Sequence, residues 1–116
     1  MIFSLGTVIV AAAGYPVRAT ANETDPTKRF PANSVLVEVL GTNTGVVYVG
    51  RAGMNAGLLG VAGHNGIHAV IPKPTASILG SFSASDQRAV VGLNLADLWI
   101  DVQVDGNGVV VSGLIS

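Results

Sequence analysis

Val35, Val37 and Val39 alternate with Leu36, Glu38 and Leu40, and residues 99–104 repeat the device, with Ile100, Val102 and Val104 set against Trp99, Asp101 and Gln103. A period of two places alternate side chains on opposite faces of an extended chain, an arrangement a helix cannot use. Both stretches are therefore strands with one apolar face. Such a strand must find a second apolar layer to cover that face, which confines the fold to packed sheets.

Turn residues interrupt these runs about every ten residues. Gly41-Thr42-Asn43-Thr44-Gly45 separates 34–40 from a β-branched and aromatic run at 46–50, so 34–50 reads as a hairpin. Asp105-Gly106-Asn107-Gly108 separates 99–104 from a strand at 109–115 and reads as a second hairpin turn, because Asp-Gly and Asn-Gly tolerate positive φ at both central positions. Upstream, 6–13 reads as a buried strand that breaks at Gly14-Tyr15-Pro16 and continues through 17–20. In the middle of the chain, 67–71 is a short strand ended by Pro72-Lys73-Pro74. Another strand falls around 77–82, 83–87 is a polar turn, and 88–95 is an apolar strand running into a turn at 94–97. The sum is about eight short strands and at most one short helical turn. That pattern predicts one all-β domain over residues 1–116, a single antiparallel β-sandwich or barrel with a jelly-roll-like character.

Two segments stand apart from the strands. Residues 22–33 carry Glu23, Asp25, Lys28 and Arg29 with Pro26 and Pro31, the composition of an exposed loop. Residues 51–66 place Gly53, Gly57, Gly60, Gly63 and Gly66 three or four apart. In a helix interior each of these glycines costs about 1 kcal/mol relative to alanine, so the segment reads as a long ordered loop.

Valine occurs 18 times and alanine 14 times, whereas lysine and glutamate together number 4, a bias toward strands over helices. With mean hydropathy +0.56 and a net charge of −1 the chain is too apolar to stay disordered, and it carries no electrostatic footprint for nucleic acid. The absence of cysteine excludes disulfides, a thiolate nucleophile and a thiolate zinc site. The uncharged opening, residues 1–13, lacks a preceding Lys or Arg, is interrupted by Gly6 and Thr7, and fits a buried strand better than a secretory leader. No apolar run is long enough to span a bilayer as a helix. Charges are missing from residues 1–17, 52–72, 74–85 and 106–116, apart from His64 and His68, and a soluble monomer normally carries more. The expectation is that the uncharged N-terminal, 51–72 and C-terminal segments are buried in contacts with other copies or a partner.

The candidate chemical motifs are weak. His64 and His68 stand at i and i+4, but the intervening Gly66 and Gly-rich flanks remove the helix that would give the spacing meaning, and no third ligand is near. Asp101, Asp105 and Asn107 superficially resemble a calcium loop, yet its twelfth position is Ser112 instead of Glu. There is no Gly-Lys-Ser/Thr triplet and no Gly-x-Ser-x-Gly elbow. The expected chain is not an enzyme and uses no metal or cofactor. Tyr48 and Trp99 could stack on sugars, though so scarce an aromatic set more often anchors a core or an interface.

Three segments carry a resemblance: the opening Gly6-Thr7-Val8-Ile9-Val10-Ala11-Ala12-Ala13-Gly14-Tyr15-Pro16-Val17-Arg18, the run Thr42-Asn43-Thr44-Gly45-Val46-Val47-Tyr48-Val49-Gly50, and residues 94–110. The last reads Asn-Leu-Ala-Asp-Leu-Trp-Ile-Asp-Val-Gln-Val-Asp-Gly-Asn-Gly-Val-Val. Together they resemble small tailed-bacteriophage virion proteins of the capsid decoration, or cement, type. The resemblance implies a homo-oligomer, a trimer, that sits on the capsid surface of the virion, binds the major capsid protein and stabilises the shell. It implies contact surfaces and no active site, no nucleic-acid partner and no membrane. The contact residues expected from the reading are Val8, Val10, Tyr48, Met54, Leu58, Leu59 and Trp99. The alternative is a carbohydrate- or receptor-binding module of a head fibre or tail component, with rings near Tyr48 or Trp99 stacking on sugars.

Overall fold

The computed structural model describes residues 2–23, 31–32, 34–51, 53–54, 66–75, 80–85, 93–94 and 97–114. Their strands, in chain order, are β1 (Ile2–Ile9), β2 (Val17–Arg18), β3 (Pro31–Ala32), β4 (Ser34–Val39), β5 (Val47–Gly50), β6 (Ile67–Ile71), β7 (Ser81–Ser85), β8 (Leu93–Asn94), β9 (Trp99–Val102) and β10 (Gly108–Leu114). One four-stranded sheet runs β1-β10-β4-β7 and the second β2-β9-β5-β6, while β3 and β8 form a separate two-stranded ribbon. Every pairing is antiparallel.

The two strand orders correspond place by place. β1, β10, β4 and β7 of the first sheet are each consecutive among the eight sheet strands with β2, β9, β5 and β6 of the second. The chain therefore crosses from sheet to sheet at β1–β2, β2–β4, β4–β5, β6–β7, β7–β9 and β9–β10, while β5 and β6 are neighbours in one sheet. This winding gives an open β-sandwich of jelly-roll character in place of a closed barrel. The alternation read from the sequence sets the faces: Val35, Val37 and Val39 are buried, and Glu38 between them is exposed. Opposite them Val47, Val49, Ile71, Ile100 and Val102 complete a core with Val8, Val10, Ala19, Val109 and Val111. Ten of these thirteen residues are valine, so the layers meet through short, stiff side chains that suit a pleated surface.

Several expectations are corrected. Residues 34–50 and 99–115 are not hairpins, because β4 and β5 lie in different sheets, as do β9 and β10. The N-terminal strand starts at Ile2 and ends at Ile9, and its continuation at Val17–Arg18 belongs to the other sheet. The strand at 99–104 stops at Val102, and Ser83 to Ser85, expected as a turn, are strand residues paired with Leu36 to Ser34. Pro31–Ala32, placed within the exposed loop, pairs with Leu93–Asn94. The 67–71 strand stands as read. The expected starts at 77 and 88 lie outside the described residues.

The outer edge of β1 is closed by a side chain. The register against β10 slips by one residue between Ser4 and Gly6, and Gly6 takes φ +76°, which a glycine supplies without a Cβ penalty. Asn22 Nδ2 donates to the Leu5 and Thr7 carbonyls at 2.9 and 2.7 Å, filling acceptors that an incoming strand would use. Asn22→Ala is expected to cost about 1 kcal/mol, because the bonds are exposed, and to raise self-association through the freed edge. Urea midpoints and concentration-dependent light scattering check both effects. An unchanged association state would show that the edge is blocked by something else.

Candidate functional site

Two regions gather the residues on which a function could rest. The first is the end of the sandwich where the β1–β2, β4–β5 and β9–β10 connections meet. There Asn43 and Asn107, both buried, clamp each other's loops. Asn107 Oδ1 accepts from the Thr44 and Gly45 amides at 2.9 and 3.0 Å. Asn43 Oδ1 accepts from the Gly108 amide at 3.0 Å, and its Nδ2 donates to the Gly108 carbonyl at 2.8 Å. A side-chain amide can serve as donor and acceptor at once, and so can replace a strand where the ladder has ended.

The β1–β2 connection joins the same network. Asp105 Oδ1 accepts from the Ala13 amide at 2.7 Å and Asp101 Oδ1 from the Gly14 amide at 3.0 Å. Val10 and Gly106 complete the tie, with Val10 N donating to Asn107 O at 3.0 Å and Gly106 N to Val10 O at 2.8 Å. At this end lie Ile9, Tyr15 and Val104, which are 47%, 75% and 37% exposed. They are the exposed large apolar side chains among the described residues, and all three sit in or beside the crossing segments.

The second region is the outer face of the second sheet. Tyr48 stands opposite Asp101 and Gly50 opposite Trp99, so these four share the face away from Val47, Val49, Ile100 and Val102. Tyr48 and Trp99 are diagonal neighbours, both half-buried, and the Arg18 guanidinium lies 5.4 Å from the centre of the Trp99 ring. Met54 is buried beside Gly50, where a Cβ would stand 2.6 Å from its Sδ. Tyr48, Met54 and Trp99, expected as contact residues, are thus brought around one glycine.

The other expected contact residues fall differently. Val8 and Val10 are buried in the domain's own core and have no side-chain surface left for a partner. Their neighbour Ile9 points the opposite way, as the period of two dictates, and it is the residue with surface to offer. Leu58, Leu59 and His64 lie outside the described residues. His68 is exposed on β6. Among the described residues there is no group of three or more His, Asp or Glu side chains that could hold a metal ion, and no helix long and apolar enough to cross a membrane.

The sequence reading missed Tyr15, hidden in a turn between Gly14 and Pro16, and missed that Asn43 and Asn107 act as a pair. A buried role for turn asparagines has no local signal when their partners are 62 to 65 residues away. Comparison with protein-family models, curated proteins and solved structures finds no match. The class is accordingly set by the fold itself: a two-sheet, jelly-roll-wound β-sandwich whose buried Asn43, Asp101 and Asn107 tie its crossings together.

Proposed function

We propose that this chain is a structural virion protein, a capsid decoration protein that binds the outside of a phage head as a homotrimer and stabilises the shell through contact with the major capsid protein. The observation that carries the reading is the division of labour at the crossing end. The buried Asn43, Asp101 and Asn107 hold the chain to itself, while Ile9, Tyr15 and Val104 leave apolar surface outside. A protein that works by docking needs apolar contact area on a rigid support, since burial of such area contributes about 25 cal/mol per Å². The jelly-roll winding is shared by viral capsid and lectin domains, a fold-level analogy that agrees with the sequence resemblance and does not replace it.

Sedimentation of the full chain at micromolar concentration is expected to give a species three times the 11.7 kDa chain mass, and the chain is expected to pellet with assembled heads. Tyr15→Ser is expected to leave the fold intact, because that side chain is 75% exposed, and to weaken pelleting. A monodisperse monomer that stays in the supernatant overturns the proposal.

The carbohydrate-binding alternative keeps one specific support, the placement of the half-buried Tyr48 and Trp99 as diagonal neighbours on the outer face of the second sheet. It predicts glycan-array hits that Trp99→Ala abolishes. An array without hits removes it.

A further inference from the structure

We propose that Asn107–Gly108 is a deamidation site that the fold holds shut, with Asn43 as the residue that holds it. An asparagine followed by glycine is chemically labile, because no side chain on the following residue hinders the approach of its backbone nitrogen. In the reaction the Gly108 nitrogen attacks Asn107 Cγ. A nitrogen–Cγ bond closes a five-membered imide ring, the Cγ–Nδ2 bond breaks, and ammonia leaves with the proton from the Gly108 amide. Water then opens the ring on either side, giving aspartate or isoaspartate at position 107.

Both reacting groups are engaged elsewhere in the fold. The Gly108 amide donates to Asn43 Oδ1 at 3.0 Å, and Asn107 Oδ1 is held by the Thr44 and Gly45 amides at 2.9 and 3.0 Å. Asn107 and Asn43 are both buried, which keeps the water needed for ring opening away. The preceding Asp105–Gly106 pair is restrained in the same manner: the Gly106 amide donates to Val10 O at 2.8 Å, and Asp105 Oδ1 accepts from Ala13 N at 2.7 Å. The run Asp105-Gly106-Asn107-Gly108, with two labile pairs, thus has both glycine amides committed to other crossings.

Opening this end exposes the reaction, and the isoaspartate product makes the opening one-way. It routes the main chain through an additional carbon. The bonds from Asn107 N to Val104 O and from Val10 N to Asn107 O then no longer fit the β10 register that begins at Gly108. Direct replacement by aspartate keeps the main chain and keeps an acceptor for Thr44 and Gly45.

The test follows the amide-to-acid mass gain of the peptide containing residue 107 during incubation in mildly alkaline buffer. If reaction requires opening, the native chain should gain mass at least ~10-fold more slowly than the urea-unfolded chain, and Asn43→Ala should recover about 10-fold of that rate. Should Asn43→Ala fail to fold, wild type in urea below its midpoint provides the same reading, with the rate rising as the chain opens. Asn107→Asp is expected to abolish the gain and still fold, whereas chains carrying isoaspartate should not refold. Equal rates in native and unfolded wild type overturn the proposal, as does the absence of any gain in the unfolded chain. An unaltered rate in folded Asn43→Ala removes Asn43 from it. None of these outcomes depends on the virion reading.

Discussion

Gly108→Ala is expected to destabilise the domain by about 3 kcal/mol or more, a large share of what a single domain has to lose. The cause is space. A Cβ at position 108 would be driven against the Val8 carbonyl oxygen and would stand 2.7 Å from Ile9 Cδ1 and 3.1 Å from Ile9 Cα. Two of these three neighbours are main-chain atoms of the paired strand, with Ile9 directly opposite Gly108, so neither can rotate away as a flexible side chain would. Backing off would also pull the Gly108 amide and carbonyl from Asn43. Gly106, two residues earlier, is the control. It has φ +83°, and a Cβ placed on it would meet nothing within 4 Å, so Gly106→Ala faces conformational strain alone and should cost about 1–2 kcal/mol. Urea denaturation of both variants decides the matter. If Gly108→Ala proves no worse than Gly106→Ala, the close approach of β1 to β10 is not what this glycine serves.

The contrast between these two glycines marks how far the sequence could be read. Asp105-Gly106-Asn107-Gly108 announces that the chain reverses, and it does, but the returning strand does not pair with the one just left. Turn residues encode local dihedral angles and say nothing about which sheet receives the next strand. Across the change of sheet the connections are fastened by Asn43 and Asn107, whose partners are distant in sequence. The same holds at 40–46. Face assignments were legible wherever the period of two persisted, as at Val35, Val37 and Val39, and they failed past a strand end, where Val104 is exposed; Asp101 keeps its outward face but is buried there, where the β1–β2 connection bonds to it. β3 and β8 have two residues each and no pattern to detect.

The charge deficit changes meaning in the same light. Residues 106–116 lack charge largely because β10 is an inner strand, flanked by β1 and β4, with Val109 and Val111 in the core. Residues 1–17 supply Val8 and Val10 to that core. The demand for a partner therefore rests on fewer residues than the uncharged segments suggested, and Ile9 and Tyr15 are those within the N-terminal segment that keep it.

Asp101 gives the second large expected effect. The β2–β9 pairing covers Val17 opposite Ile100 and Arg18 opposite Trp99. Tyr15, which would continue this ladder opposite Val102, instead donates its amide to the Ala12 carbonyl at 3.1 Å within the β1–β2 connection. The Val102 amide beyond that point has lost its strand, and Asp101 Oδ1 takes it at 2.8 Å together with the Gly14 amide at 3.0 Å. Asp101→Ala leaves the buried Val102 amide without an acceptor, at about 1–3 kcal/mol, and frees the part-buried Gly14 amide, which water reaches, at about 1 kcal/mol, so a loss of about 2–4 kcal/mol is expected. Asp101→Asn separates geometry from charge. Its amide oxygen can keep both bonds, and the position of Oδ2, which has no hydrogen-bond partner among the described residues, passes to an uncharged group. A buried carboxylate oxygen with no partner is itself a cost. The neutral acceptor is weaker and the amide N–H groups at the Oδ2 position have no acceptor, while the cost of an unpartnered charge is removed, so Asp101→Asn is expected to lose about 1–2 kcal/mol, less than Asp101→Ala. Paired urea or thermal melts measure both variants. A loss in Asp101→Asn as large as in Asp101→Ala would mean that the negative charge, and not the bridging of Gly14 to Val102, is what holds this end of the second sheet together.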